Sequence, residues 1–274
     1  MHRTVEEFRR IAEPLYGRDP VGNTVELTLL RANTFDDDAL LLTVSDDGIV
    51  VGATLQTPPY PLACNGLPVI THAPIAAELA RVRPDLTGVR GRRDLAVSFA
   101  GAWHSATGRR GDITTEERLY RLGTLRPPAG VGGAARRAGD ADRGVLVDWV
   151  ERFFVETFND QRGEAAGRRF VANATAVGDR FVVWEDRGAP VSMALLRAPA
   201  AGVSRIGPVF TPSSARGRGY GSAVTAAAAA LAHRDGVGDV VLFTDLANPT
   251  SNAIYRRIGF EAVADSVRID FPSG

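Results

Sequence analysis

The stretch RIGPVFTPSSARGRGYGSAVTAAAAALA, residues 205–232, joins an apolar run to an alanine-rich run through a glycine-rich turn. The first run has the composition of a β-strand, and the last has that of a helix. Between them lie three alternating glycines, Gly217, Gly219 and Gly221. Glycine adopts positive φ angles readily and lets a ligand approach the backbone closely. The segment therefore predicts a strand, a tight loop and a helix, in that order.

This loop predicts an anion site. The first turn of the following helix carries backbone N–H groups without helical partners, and the helix dipole places partial positive charge there. A phosphate or diphosphate suits such donors best, and Arg216 and Arg218 add charge-assisted hydrogen bonds. The alternative is a flexible surface turn with solvated arginines, which the flanking strand and helix make less favourable.

Two common phosphate-binding motifs do not fit the loop. A P-loop needs a lysine, and every basic residue of this chain is an arginine. A dinucleotide-binding fingerprint needs a glycine where Ser222 or Val224 stands, and it opens a βαβ unit early in a domain. A nucleotide-dependent oxidoreductase is therefore a minor alternative.

A second motif, NPTSNAIYRRIGF at 248–260, follows one predicted strand later. Together with RGRGYG at 216–221 it resembles the GNAT superfamily, the CoA-dependent N-acetyltransferases. The first motif fits the family pattern of Gln or Arg, two residues, Gly, one residue, and Gly or Ala. The second fits an Asn followed by a small residue, a Tyr and a Gly-Phe pair. The resemblance covers roughly residues 145–271.

The resemblance implies a set of site residues. The strand end would pair its backbone with pantetheine, the glycine loop would hold the CoA diphosphate, and an asparagine would bond the pantetheine arm and cap the next helix. Tyr255 matches the tyrosine that commonly protonates the departing CoA thiolate; the alternative is a core tyrosine. The implied CoA-binding residues are Val209, Phe210, Thr211, Arg216, Gly217, Arg218, Gly219, Tyr220, Gly221, Ser222 and Asn248.

The general base has no motif of its own. We predict Asp245 for this catalytic role because it ends the predicted strand 239–246, although it would equally cap the loop that follows. Glu185 and Asp186 are alternatives, but WEDRGAP reads as an ordinary hairpin turn. Deprotonation through ordered water is a further alternative. Tyr220 either packs against the helix or covers the CoA.

The element order and the resemblance together imply an α/β (α+β) fold with a mixed, mostly antiparallel sheet flanked by helices, in two related modules. Short links between the strands at 180–186, 190–197 and 203–211 favour an antiparallel meander. VELTLLRA, at 25–32, reads as another strand, and a hairpin occupies 39–57.

The resemblance also implies a domain organisation. Residues 1–128 would be a degenerate N-terminal GNAT-like module, 129–144 a linker without large apolar residues, and 145–274 the catalytic domain. This arrangement is similar to tandem GNAT proteins, including the glycine N-acyltransferase-like group.

Composition excludes several classes. The 32 basic and 32 acidic residues cancel, which argues against nucleic acid or an anionic membrane as a partner. Cys64 is the single cysteine and the four histidines are scattered, so we expect neither a disulfide nor a metal site. The charged N-terminus has no apolar core like that of a signal peptide, and we expect a cytoplasmic location.

These observations predict a function. The chain would transfer an acetyl or other short acyl group from acyl-CoA, with acetyl-CoA as co-substrate, to a primary amine of a small molecule or amino acid. The alternative is a non-catalytic acyl-CoA-binding or sensing protein. The sequence does not indicate the acceptor, the acyl length or the oligomeric state.

Overall fold

The computed structural model describes residues 1–33, 35–161 and 163–272. Contacts within the chain separate two compact units. The first comprises Met1–Leu119, Thr244–Asn248 and the residues from Val263 onward, and the second comprises Tyr120–Phe243 and Pro249–Ala262.

The first unit contains the N-terminal helices and strands. Its helices are α1 (Val5–Tyr16), α2 (Thr24–Ala32), α3 (His72–Val82) and α4 (Arg93–Thr107). Its strands are β1 (Leu40–Asp46), β2 (Ile49–Gln56), β3 (Leu62–Ala63), β4 (Gly88–Arg92) and most of β5 (Asp112–Leu122).

The second unit contains most of the remaining elements. Its helices are α5 (Arg143–Phe158), α6 (Glu164–Ala176), α7 (Tyr220–Arg234) and α8 (Pro249–Arg257). Its strands are β6 (Ala134–Arg137), β7 (Arg180–Asp186), β8 (Ala189–Leu196), β9 (Val203–Phe210), most of β10 (Asp239–Asp245) and the start of β11 (Phe260–Asp270).

Both units follow one plan. Each runs through two helices, three strands, a helix, a strand, a helix and a strand, and β6 precedes this series in the second unit. In each, the first three strands pair antiparallel, and the third pairs parallel with the fourth. The predicted mixed, mostly antiparallel sheet flanked by helices is confirmed, and so is the predicted meander.

The sheet of the second unit buries both faces. Along β7, Phe181 and Val183 pack in a cluster with α5 and α6, whereas Val182 belongs to a cluster that includes α7 residues. This alternation follows from the two-residue period of a strand. Arg187 and Gly188, both at positive φ, connect β7 to β8, so WEDRGAP forms the predicted hairpin turn.

The strand predicted over 25–32 is wrong: these residues form α2. Leu27 and Leu30 are buried three positions apart, which is the spacing of a helix face. The helix ends at Asn33, whose positive φ of 53° is a left-handed C-cap. The run of Leu and Thr has strand-like composition, and the packing of one face overrides it.

The segment predicted as a linker, 129–144, contains a short strand. Ala134–Arg137 form β6, which pairs antiparallel with β7, and α5 begins at Arg143. Trp184 Nε1 donates a hydrogen bond to the Gly132 carbonyl at 2.8 Å. An exposed edge strand needs no large apolar side chains, which is why the composition resembled a linker.

The compact units differ from the predicted segments 1–128 and 145–274. The last part of β11, Ser266–Asp270, pairs antiparallel with β4 inside the first unit. Backbone pairing between residues distant in sequence therefore determines where the chain end belongs.

Candidate functional site

The end of β9 separates from its parallel neighbour. β9 pairs with β10 from Val203 to Ile206. Its register with β8 then shifts by one residue before Val209, so an extra residue is accommodated at Gly207–Pro208. Such a bulge bends a strand. Among the described residues, Gly207–Phe210 have no paired strand on the side of β10, which leaves backbone groups for a ligand.

The side chains at this strand end are used for packing. Phe210 is buried in the cluster of α5 and α6, where its ring lies 6.2 Å from that of Trp149. Val209 is half-buried and packs on the opposite cluster, beside α7. Any contact that these two residues make with a ligand beyond the bulge therefore comes mainly from their backbone.

The glycine loop has the predicted conformation. Gly217 and Gly219 have φ angles of 79° and 82°, and α7 begins directly after them. The first helical bond runs from the Ala223 N–H to the Gly219 carbonyl at 3.0 Å. In the described part of the chain, no acceptor pairs with the backbone N–H groups of residues 217–222. Consecutive unpaired donors at the positive end of a helix form an anion site.

The two loop arginines differ in their surroundings. Arg218 is exposed and has no hydrogen bond or ion pair with the residues that the structure describes. Arg216 donates through Nε to the Thr211 carbonyl at 2.9 Å, and its guanidinium also forms an ion pair with Glu156. Arg218 is therefore the arginine available to an anion, whereas Arg216 braces the loop against α5.

A pair of hydroxyl groups holds the start of the loop. Ser192, on β8 and fully buried, donates from Oγ to the Phe210 carbonyl at 3.0 Å and lies 2.8 Å from Thr211 Oγ1. Thr211 is half-buried, and a Cβ built on Gly221 would lie 3.3 Å from its Oγ1. Thr211 thus lies between the end of β9 and the first turn of α7.

Tyr220 contributes its backbone to the loop while its side chain points inward. The ring is buried, and the hydroxyl donates to Asp186 Oδ2 at 2.7 Å. This is the packing alternative that the sequence allowed. Glu185, the neighbour of Asp186, forms an ion pair with Arg136 of β6, so both carboxylates of this turn are bonded to residues outside the hairpin. Neither alternative base is therefore free of partners.

Tyr255 lies half-buried on α8 against Phe260, with ring centres 6.2 Å apart. Burial raises the pKa of its phenol to about 12. Within the described residues, the hydroxyl has no hydrogen-bond partner. One turn earlier, Asn252 Oδ1 accepts from the buried Tyr120 hydroxyl at 2.9 Å. This bond fixes the helix that carries Tyr255, and no sequence motif marks Tyr120 as its partner.

Asp245 and Asn248 belong to the stretch Thr244–Asn248, which clusters with the first unit. Asp245 is exposed; its Oδ1 accepts from the Ala247 N–H at 2.7 Å and its carbonyl from the Asn248 N–H at 3.1 Å. The structure thus shows the capping alternative for Asp245, and its role as a base stays a prediction. Asn248 directly precedes α8, at the predicted capping position.

Three further site residues have no motif. Arg152 on α5 places its guanidinium carbon 5.2 Å from the centre of the Phe210 ring. Glu156 lies one turn further along α5, and Ser192 lies on β8. These residues reach the site only because α5 and β8 pack beside β9, and no sequence motif predicts that packing.

In the described ranges, no group of three or more His, Cys, Asp or Glu side chains is placed to hold a metal ion. No described helix combines the length and apolar character that a bilayer crossing requires.

Comparison with known proteins finds a family match in the second half of the chain. Residues 145–260 match the model of the acetyltransferase (GNAT) family. A search of curated proteins found no match to this chain.

Solved structures show the same fold over nearly the whole chain. An acetyltransferase from the GNAT family of Colwellia psychrerythraea is 12% identical, with a TM-score of 0.62 over 93% of this chain and 97% of that chain. A GCN5-related N-acetyltransferase from Sphaerobacter thermophilus is 19% identical, with a TM-score of 0.64 over 99% of this chain and 95% of that chain. A tandem GNAT protein from the clavulanic acid biosynthesis pathway is 17% identical, with a TM-score of 0.57 over 96% of this chain and 95% of that chain.

Proposed function

We propose that this chain is an N-acyltransferase, because residues 145–260 match the model of the acetyltransferase (GNAT) family and this match supports CoA-dependent acetyl transfer. Its donor is acetyl-CoA or another short acyl-CoA, and its acceptor is a primary amine of a small molecule or amino acid. The observation that carries the proposal is the run of unpaired N–H groups at 217–222. The balanced charge supports a small acceptor over nucleic acid. The reaction is proposed to take place in the cytoplasm.

The loop supplies the donor-binding chemistry. A diphosphate presents only acceptor oxygens and two negative charges, which match unpaired backbone donors at a helix N-terminus. Arg218 adds a guanidinium that forms no hydrogen bond or ion pair with any described residue. Asn248 is proposed to bond the pantetheine arm. The residues present therefore fit CoA.

The end of β9 supplies hydrogen bonds near the reacting group. Beyond Ile206, β9 is unpaired on the side of β10, so its backbone from Val209 to Thr211 is proposed to bind the arm as an added strand would. A backbone N–H in this stretch is proposed to stabilise the oxyanion that forms as the amine attacks the thioester carbonyl.

Tyr255 is proposed to assist the departing sulfur. A phenol with a pKa of about 12 stays protonated at neutral pH, so its O–H is available as a donor. It is a weaker acid than an ordinary thiol, whose pKa is about 8.5. Tyr255 therefore stabilises the thiolate through a hydrogen bond more than by complete proton transfer.

The attacking amine must be neutral, and a base must take its proton. Asp245 remains the proposed base, with transfer through ordered water as the alternative. Its Oδ1 accepts a hydrogen bond from the Ala247 N–H, which holds the carboxylate at the end of β10.

The direct test is release of CoA thiol from acetyl-CoA with a panel of amines and amino acids. We expect turnover with at least one acceptor and none without an amine. Tight CoA binding with no turnover on any amine would contradict catalysis and support the acyl-CoA-binding alternative.

A binding test addresses the loop itself. Gly219→Glu adds bulk and a negative charge to the anion site, so CoA should no longer raise the melting temperature of this variant. An unchanged CoA-induced shift would contradict the assignment of the loop. Stabilisation of the wild type by NAD but not by CoA would instead indicate the oxidoreductase class.

A further inference from the structure

The hydrogen bonds around Ser192 determine whether the Thr211 hydroxyl donates or accepts in its contact with Ser192. Ser192 Oγ lies 3.0 Å from the Phe210 carbonyl oxygen and 2.8 Å from Thr211 Oγ1. A carbonyl oxygen only accepts, and a serine hydroxyl has one proton to donate. Ser192 therefore donates to Phe210, and the short contact with Thr211 requires that Thr211 donate to Ser192.

This chain of bonds leaves Thr211 Oγ1 with lone pairs alone. Its single proton is committed to Ser192, which is fully buried and held in place by the sheet. Thr211 itself is half-buried, at the unpaired end of β9. Its Oγ1 has room beside the first turn of α7 because residue 221 is a glycine. A further partner at this oxygen must therefore be a donor.

We propose, on the basis of the proposed function, that Thr211 Oγ1 accepts a hydrogen bond from an amide N–H of the pantetheine arm. Ser192 is the positioning residue that fixes this polarity. A diphosphate offers only acceptor oxygens, so it gains nothing from Thr211 and belongs to the amides of residues 217–222. The pair Ser192–Thr211 thus marks where the anion-binding part of the site ends and the amide-binding part begins.

The test compares two ligands by calorimetry: CoA, and 3′-phospho-ADP, which is CoA without its pantetheine arm. Thr211→Val keeps the shape of the side chain and removes the acceptor. We expect it to weaken CoA binding about 3- to 10-fold, the effect of one hydrogen bond, and to leave 3′-phospho-ADP binding unchanged. Thr211→Ser, the matched control, keeps the acceptor and should bind both ligands like the wild type.

A double-mutant cycle tests the role of Ser192. Ser192→Ala releases the proton of Thr211, so it should weaken CoA binding in the wild type and have no added effect on CoA in the Thr211→Val variant. Purely structural damage would instead weaken CoA binding in both backgrounds and would also weaken 3′-phospho-ADP binding. That result would overturn the positioning role.

Each remaining outcome is decisive. Equal weakening of both ligands by Thr211→Val would show that Thr211 serves the phosphate end, and unchanged CoA binding would show that it is not a ligand; either overturns the inference. If the wild type binds neither ligand, the proposed function itself fails, and this shows before any variant is made.

Discussion

The hydroxyl of Tyr220 donates to the carboxylate of Asp186 across 2.7 Å, and this bond ties the first residue of α7 to the last residue of β7. The backbone N–H of Tyr220 is at the same time one of the unpaired donors of the anion site. One residue thus anchors the helix with its side chain and offers its backbone to the ligand.

Tyr220→Phe removes this anchor without changing the backbone. The loss of a hydrogen bond to a charged group should lower the free energy of unfolding by about 1–2 kcal/mol, measured by urea denaturation. CoA binding should change less than twofold, because the loop amides remain. A large loss of CoA affinity with unchanged stability would mean that the tyrosine side chain contacts the ligand.

Gly219→Ala should destabilise the loop more than Gly217→Ala. Both glycines have positive φ, which costs a residue with a Cβ about 1–2 kcal/mol. Gly217 has open space around its Cβ position, whereas a Cβ on Gly219 would lie 3.0 Å from Val131 Cγ2. Thermal unfolding of the two variants checks the order. Equal effects would show that Val131 moves aside freely.

Arg218→Ala should weaken CoA binding about tenfold and leave stability within about 0.5 kcal/mol of the wild type. The reason is that Arg218 has no partner among the described residues, so only a ligand loses from its removal. The loss should shrink in high salt, because the guanidinium is exposed. Arg234→Ala, at the far end of α7, controls for net charge and should bind CoA normally.

Arg216→Ala should differ from Arg218→Ala in its stability. It breaks the ion pair with Glu156 and the bond to the Thr211 carbonyl, so stability should fall along with CoA affinity. If its stability matches that of the wild type, the bracing role of Arg216 is wrong.

Tyr255→Phe should lower kcat by about 10- to 100-fold with little change in the KM for acetyl-CoA, if its hydroxyl acts on the departing sulfur. Steady-state kinetics with an accepted amine gives both constants. A change confined to KM would assign Tyr255 to binding instead.

The same variant has a pH signature in stability. The pKa of Tyr255 is raised from 10.0 to about 12, so between these values the unfolded chain loses a proton that the folded chain keeps. Wild-type stability should therefore fall as pH rises from 10 to 12, and Tyr255→Phe should remove part of that fall. Below pH 10 this group should cause no pH-dependent change in the difference between the free energies of unfolding of the two proteins.

The backbone conformation of the glycine loop was predictable because it depends on residues adjacent in the chain. Gly217 and Gly219 allow the positive φ angles of the loop, and the alanine run from 226 to 230 favours the helix that follows. The errors have a different cause. Residues 25–32 and 134–137 have compositions that fit more than one structure, and the burial of one helix face or pairing at a sheet edge decides between them.

By itself, the sequence determined the turns, the glycine loop and the start of α7, because each depends on residues adjacent in the chain. Only the tertiary structure decided which side chains meet: Ser192 with Thr211, Tyr220 with Asp186, and Arg216 with Glu156. These partners lie on different strands and helices, so their contacts exist only once β7, β8, β9 and α5 have packed together. Packing therefore sets the direction of the hydroxyl proton at Thr211 and leaves Arg218, not Arg216, available to an anion.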